Sequence, residues 1–177
     1  MKTYTTLVKF ISPYLQAKFS EKAKSELNVR AGKKSNLDDD EQMQNFLYKD
    51  DGGIYIPSIQ FKMALVNAGK SIKQKPYGNL KNIVRAYFFI EPEKIYIKKE
   101  KPDFVKTSYP SRKDGLRVKV CHPAFNPGLQ VEFKLICTND DVDQRTIELL
   151  VSKAGLEYGI GGWRPEHGRF DVVNIKN

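Results

Sequence analysis

Two cysteines, Cys121 and Cys137, and two histidines, His122 and His167, are all that the 177 residues offer for disulfide cages or zinc sites. A disulfide framework is excluded as an organising principle, and both thiols read as small apolar residues of a reducing compartment. An adjacent Cys-His pair with isolated partners does not match zinc-knuckle spacing, so no metal is expected. No stretch approaches the roughly 20 uninterrupted apolar residues of a membrane-spanning helix. The opening run Met1–Phe10 is polar and alternating and lacks the apolar segment of a secretory signal, so a cytoplasmic setting without a membrane partner is expected. Ser-His-Asp, HExxH and phosphate-loop signatures are missing too, and no cofactor is expected.

Acidic residues are outnumbered. Thirty Lys and Arg stand against 21 Asp and Glu, a formal net charge of +9. Positive potential of that size concentrates polyanions near the surface, although lysines that serve solubility alone would look the same by count. With 40% apolar residues, ten Phe and nine Tyr, the chain can bury a core. Its length suits one domain over 1–177.

Local patterns then divide the chain. Residues Tyr4–Leu15 read as a strand ending at Ser12-Pro13. Residues 18–50 are charged, with Lys18, Lys22, Lys24, Arg30, Lys33 and Lys34 before Asp38-Asp39-Asp40-Glu41, and read as a mobile insertion with a short helix at its start. Ile54–Pro57 is a short strand closed by proline. A helix over 58–69 follows, with Ser58 as N-cap, Ile59, Met63 and Val66 on its apolar face and Gly69 as a left-handed C-cap. An irregular basic loop at 70–82 carries Lys70, Lys73, Lys75, Tyr77 and Lys81. Strands are expected at 83–90, 94–98 and 117–121, interrupted by a second mobile insertion at about 99–116 that holds Arg112 and Lys113. The period-2 pattern of 129–138 marks a strand with one wet face. After Asn139-Asp140-Asp141, Ile147, Leu150, Val151 and Ala154 line a helix that Gly155 should end, and 170–175 is a last strand. This order predicts an α+β fold of the βαββαβ, ferredoxin-like (RRM-like) plan, an antiparallel sheet with two helices and charged insertions.

Between that last helix and last strand lies the segment richest in candidate chemistry, Gly159-Ile160-Gly161-Gly162-Trp163-Arg164-Pro165-Glu166-His167-Gly168-Arg169-Phe170. Gly159, Gly161, Gly162 and Gly168 leave no Cβ to block close approach of backbone to phosphate or to a neighbour. Arg164 and Arg169 offer forks that match phosphate, and Trp163 offers a face on which a base can stack. The bland readings are a half-buried Trp163 anchoring the loop, and arginines paired with Glu157, Glu166 or Asp171.

In its context, this loop resembles the C-terminal glycine-rich loop of the RAMP superfamily of CRISPR effector subunits. Ile56-Pro57-Ser58-Ile59-Gln60-Phe61-Lys62-Met63-Ala64-Leu65 resembles that superfamily's strand-Pro-Ser-helix segment, and the long insertion after the first strand sits where the family places thumb-like hairpins. The likeness covers most of the chain in plan but only these two segments in residues. The glycine and basic residue common near Ala64 and Val66 in the family are absent, and Gly168-Arg169-Phe170 stands where Gly-Phe-Gly is frequent. The short length suits a phage-borne or solitary relative.

What the resemblance implies is an RRM-like fold that binds single-stranded RNA without sequence specificity, as repeated protomers or beside other effector subunits. Lys70, Lys73, Lys75, Tyr77, Lys81, Arg112, Lys113, Trp163, Arg164 and Arg169 are the contacts it would use. Single-stranded DNA is the competing ligand, because phosphate and stacking contacts do not tell the sugars apart. Some relatives cut RNA with an acidic residue in an early loop, which makes Asp38, Asp39 and Asp40, as holders of a divalent ion, or His167, as acid or base, the candidates for a metal-dependent or His-assisted endonuclease. An acidic run is more often a solvated face, so binding without catalysis is the reading preferred. A phage-type protein that docks on a host nucleoprotein complex is the third alternative.

Overall fold

The computed structural model describes residues 1–18, 38–75, 77–111, 115, 117 and 119–176. Strand β1 (Lys2–Phe10) alternates as its sequence suggests. Tyr4, Thr6, Val8 and Phe10 point inward, while Thr3, Thr5 and Lys9 face solvent. Next to it runs β11 (Gln130–Cys137), antiparallel, with Val8 opposite Val131, Thr6 opposite Phe133 and Tyr4 opposite Leu135. The other partner of β1 is β12 (Phe170–Lys176), and β7 (Phe88–Glu91) flanks β11, giving the order β12-β1-β11-β7. With helices α2 (Ser58–Ala68) and α4 (Gln144–Lys153) inserted in chain order, this is the βαββαβ plan expected from the sequence. Phe61 of α2 closes the core between Phe133 and Phe170, with ring centroids 4.6 and 5.4 Å away. From α4, Ile147, Leu150 and Val151 are buried against the same face.

Smaller sheets flank the main one and extend its core, with Tyr14, Ile54, Ile56, Ile95 and Phe125 in the same buried cluster. Strands β3 (Lys49–Asp50), β4 (Gly53–Pro57) and β8 (Lys94–Tyr96) form one, and β5 (Lys73–Gln74) pairs with β6 (Gly78–Asn79) in a hairpin. A third joins β2 (Tyr14–Leu15), β10 (Val120–Phe125) and β9 (Phe104–Ser108). Helix α1 (Asp39–Phe46) packs on it, burying Met43 and Phe46, with the Phe46 ring 5.4 Å from that of His122, and Gln42 accepts the Cys121 backbone N–H at 3.1 Å.

Several local expectations are overturned by packing. The opening strand divides at Ser12-Pro13, and β2 joins a different sheet from β1. Asp39–Phe46, late in the first insertion, is helical, while the start of that insertion, where a short helix is expected, falls in residues 19–37, outside the described residues. In the second insertion, 104–108 is paired strand, with Val105 opposite Pro123. Residues 81–87, rich in β-formers, make helix α3 (Lys81–Tyr87) before β7. Lys62 accounts for it: its ammonium donates to the carbonyls of Val84 (2.5 Å), Arg85 (3.1 Å) and Phe88, closing the helix end. Burial lowers the Lys62 pKa from its ordinary value.

Ser58 is not an N-cap; Pro57 holds that place without a side-chain bond, and the Ser58 N–H donates to the Glu93 carbonyl at 2.8 Å. Gly69 has a helical φ of −59°, and its missing Cβ admits the backbone at Leu80–Lys81. Gly155 does not end the helix: the chain continues through it as a π-helical turn, Ala154–Tyr158, and the glycine instead admits a close neighbour, since a Cβ at 155 would stand 2.1 Å from the Phe170 carbonyl oxygen. The largest reversal concerns α2. Its buried residues are Phe61, Ala64, Leu65, Val66 and Ala68, so Val66 is inside as expected, whereas Ile59 and Met63, also expected inside, are 59% and 41% exposed.

Candidate nucleic-acid interface

The glycine loop is held by what precedes it in the fold. Ile160 is fully buried, and its N–H donates to the Gly168 carbonyl at 2.9 Å, closing the loop. Gly162 N–H donates to Leu15 O (2.9 Å), and Gly168 N–H to Pro13 O (2.8 Å). A Cβ on Gly161 would meet the Leu15 carbonyl oxygen at 2.3 Å, and one on Gly168 the Ile160 carbonyl oxygen at 1.7 Å. Both residues have positive φ, as does Gly159. These three glycines seat the loop on the Pro13–Leu15 segment and on itself. Gly162 is different: a Cβ there would make only ordinary contact, 3.5 Å from that of Ala17.

What the loop holds out is Trp163. Among the described residues it alone has positive φ without being glycine, at 57°. Its ring is 47% exposed, and its indole N–H reaches His122 Nε2 at 3.4 Å. The other ring nitrogen, His122 Nδ1, lies 3.2 Å from the Gln16 carbonyl, so the tautomer that serves both partners carries its proton on Nδ1. Burial lowers the His122 pKa and favours that neutral form. Gln16 is itself buried, and ties Tyr48 N–H (2.7 Å) to Tyr55 O (2.9 Å).

Beside Trp163, a shallow groove of about 200 Å³ runs between loop and helix, lined by Ala17, Ile59, Gln60, Met63, Gly161 and Arg164. Arg164 and Arg169 are exposed, and among the described residues neither belongs to an ion pair; Glu157 pairs with Lys153 instead. The apolar walls, the amide of Gln60 and a free guanidinium make a surface suited to a base and its phosphate, not to a metal. Among the described residues no three His, Cys, Asp or Glu side chains converge as ligands would.

Comparison with known proteins concerns the fold. No protein-family model matches the chain, and no curated protein matches it in sequence. Solved structures do match. One is a subunit in a cryo-EM structure of the type III-B Cmr-beta complex bound to cognate target RNA, with TM-score 0.56 and 15% identity over 98% of this chain. The chain spans 59% of that subunit's length. Another is a subunit of a type IV-B CRISPR complex, with TM-score 0.51, 10% identity, and 99% of this chain and 90% of the other covered. At such identities the shared property is the α+β, ferredoxin-like architecture.

The structure separates the remaining sequence candidates from the groove. Lys73 and Lys75 belong to the β5–β6 hairpin, which Gln74 and Tyr77 fasten to Asp141 by hydrogen bonds. That is the end of the sheet where Lys2 faces Cys137; the glycine loop is at the other, where Phe10 faces Phe170. A nine-residue strand puts about 25 Å between these ends. Lys70 and Lys81 flank the same hairpin end of α2, so this basic cluster does not share the groove. Tyr77 spends its hydroxyl on Asp141, which raises its pKa. Arg112 and Lys113 lie outside the described residues. On the open sheet face, the outward residues of the two central strands are Thr3, Thr5, Leu7 and Lys9, and Gln130, Glu132, Lys134 and Ile136, without a ring among them, while the edge strand β7 places Phe89, 50% exposed, opposite Ile136.

The acidic candidates have local roles. Asp38 caps α1, accepting the Glu41 N–H at 2.8 Å while Glu41 reaches back to its backbone. Asp39 is paired with Lys119 at 2.5 and 2.8 Å, which lowers its pKa; Asp40 is exposed. His167 belongs to the loop, and among the described residues no hydrogen bond or ion pair joins it to these carboxylates. Asp38→Ala is therefore expected to cost about 1 kcal/mol of stability, read as a lower urea midpoint, with Asp38→Ser close to wild type. An unchanged midpoint for Asp38→Ala would show that the cap contributes nothing.

Ile59, Gln60, Met63 and His122 are the site residues that sequence patterns did not single out in these roles. For Ile59, Gln60 and Met63 the advance signal was that α2 is apolar around most of its circumference, which leaves a second face to be explained; His122 lies on β10 and had no such signal.

Proposed function

We propose that this chain binds single-stranded RNA without sequence specificity, in the groove between α2 and the glycine loop, as a subunit or solitary relative of CRISPR-type effector complexes. The observation that carries the reading is the convergence of exposed Ile59 and Met63 with Arg164, which among the described residues belongs to no ion pair, on one groove, next in the chain to the exposed Trp163. A solvent-facing indole kept in a left-handed backbone conformation is the kind of strain that persists where a site needs it. That the Cmr-beta neighbour was solved with target RNA adds support through the shared fold. Backbone-and-stacking recognition needs no base-edge code, and the net charge of +9 supplies attraction at long range. Repeated protomers along the strand, or neighbouring effector subunits, are the partners this reading assigns.

The test is purification without nuclease, with sequencing of the co-purified nucleic acid, followed by binding of a labelled strand of about 30 nucleotides at several salt concentrations. If about four phosphates are neutralised, log K falls against log salt with a slope of about −3. A 2′-hydroxyl contact would show as a preference for RNA over the matching DNA. No retention of either strand at low salt overturns the proposal.

A further inference from the structure

Gln60, on the groove floor, takes the Tyr14 hydroxyl at 3.0 Å and also faces the hydroxyl of Tyr48, where it opposes the upward push of burial on that pKa. From Tyr48 a row of rings continues away from the groove. Tyr48 and Tyr55 have centroids 5.8 Å apart, and Tyr55 and Tyr96 5.9 Å. Tyr55 and Tyr96 stand opposite each other in the β4–β8 register. They share the outward face, since the alternating Ile54, Ile56, Ile95 and Ile97 are buried.

Tyr96 is 47% exposed yet held on three sides. Its hydroxyl donates to Asp50 Oδ2 at 3.2 Å, its ring meets Tyr55 edge-on, and it lies over Gly52, where a Cβ would come within 2.7 Å of the ring. The nearby carboxylate carries little net repulsion, because Lys94 pairs with Asp50 at 2.5 Å while sitting 5.1 Å from the Tyr55 centroid. Lys98 is exposed beside Tyr96 and, among the described residues, belongs to no ion pair. A ring fixed on one face and bare on the other stacks a base without a further ordering cost.

We propose that Tyr96, with Tyr55 beside it, is a second base-stacking position for single-stranded RNA, reached from the groove across Tyr48. The inference rests on the groove reading above and extends it: the RNA path turns from the glycine loop over the β3–β4–β8 sheet, and the positions near Tyr96 engage only strands long enough to arrive there.

Anisotropy titrations of labelled oligonucleotides of about 4 and about 12 nucleotides separate the two positions. Tyr96→Ala is expected to weaken the longer strand about tenfold and leave the shorter one unchanged. Gly52→Val, which keeps the ring but pushes it off its seat, should act in the same direction, and Tyr96→Phe should bind like wild type. Thermal melts of each variant, with midpoints close to wild type, confirm that the fold is retained. If Trp163→Gly weakens both lengths while Tyr96→Ala weakens neither, this inference falls and the groove reading stands. If wild type binds neither length, both fall. Unchanged affinity in Tyr96→Ala together with altered sedimentation of the RNA-free protein would make this face a contact between copies, which also overturns the inference.

Discussion

Replacing Gly168 by alanine is expected to destabilise the protein by about 3 kcal/mol, the sum of overpacking and of an L-residue forced into left-handed backbone. The new methyl group would stand 1.7 Å from the Ile160 carbonyl oxygen at a φ of 73°. Neither side can yield cheaply. Ile160 is buried, its N–H is bonded to Gly168 O, and Gly168 N–H is bonded to Pro13 O, so relief of the clash breaks the closure of the loop. For a chain of this size the thermal midpoint should drop by about 10 °C. Gly162→Ala is the internal control, since its Cβ would meet nothing closer than 3.5 Å and its φ is not positive; it should stay within about 0.5 kcal/mol of wild type. Equal melting curves for the two alanine variants would contradict the loop geometry.

The second large effect is a separation of stability from binding at Trp163 and Arg164. Trp163 occupies φ 57° at a strain of about 1 kcal/mol, and glycine removes that strain. Trp163→Gly also gives up the indole bond to His122 and the ring's buried half, so its net change in stability is expected to be small. RNA affinity should respond very differently. Loss of one stacked base costs about 1–3 kcal/mol, and loss of the Arg164 charge-assisted contact about 1.5–3 kcal/mol. The double variant Trp163→Gly, Arg164→Ala is thus expected to bind a single strand at least about a hundredfold more weakly with a nearly unchanged melting midpoint. Tight binding by the double variant would move the interface elsewhere, with the lysine hairpin of residues 73–79 as the next place to look.

The salt dependence tells these surfaces apart. Arg164→Ala should make the slope shallower by about 0.7, while Lys73→Glu and Lys75→Glu at the far end of the sheet should leave binding of a short oligonucleotide in the groove unchanged. The physical reason is distance: about 25 Å of β1 is well beyond the Debye length of about 8 Å at physiological ionic strength.

Much of the architecture was legible because the relevant signals are local. Alternation in 129–138 specified β11, and Asn139-Asp140-Asp141 followed by Ile147, Leu150 and Val151 specified α4, although the capping residue is Asp143, which accepts the Thr146 N–H at 2.7 Å. The loop between α4 and β12 could be located by its glycines, and the β12-β1-β11-β7 order follows from the element order that those patterns imply. The parts that were not legible depend on partners distant in the chain. Residues 81–87 are helical because Lys62, 22 residues before Val84, holds their carbonyls. Strand β9 exists because β10 pairs with it.

For the site the division is sharper. The sequence alone established a basic, aromatic-rich chain of α+β plan, with Trp163 and Arg164 carried on a glycine loop. Only the tertiary structure decided that Gly159, Gly161 and Gly168 serve packing, that the lysines of the hairpin sit at the opposite end, and that Ile59 and Met63 look outward. Helix α2 is apolar on most of its circumference, so periodicity cannot choose its buried side. The sheet chooses by seating Phe61 against Phe133 and Phe170, and the face left over is the one that meets the glycine loop.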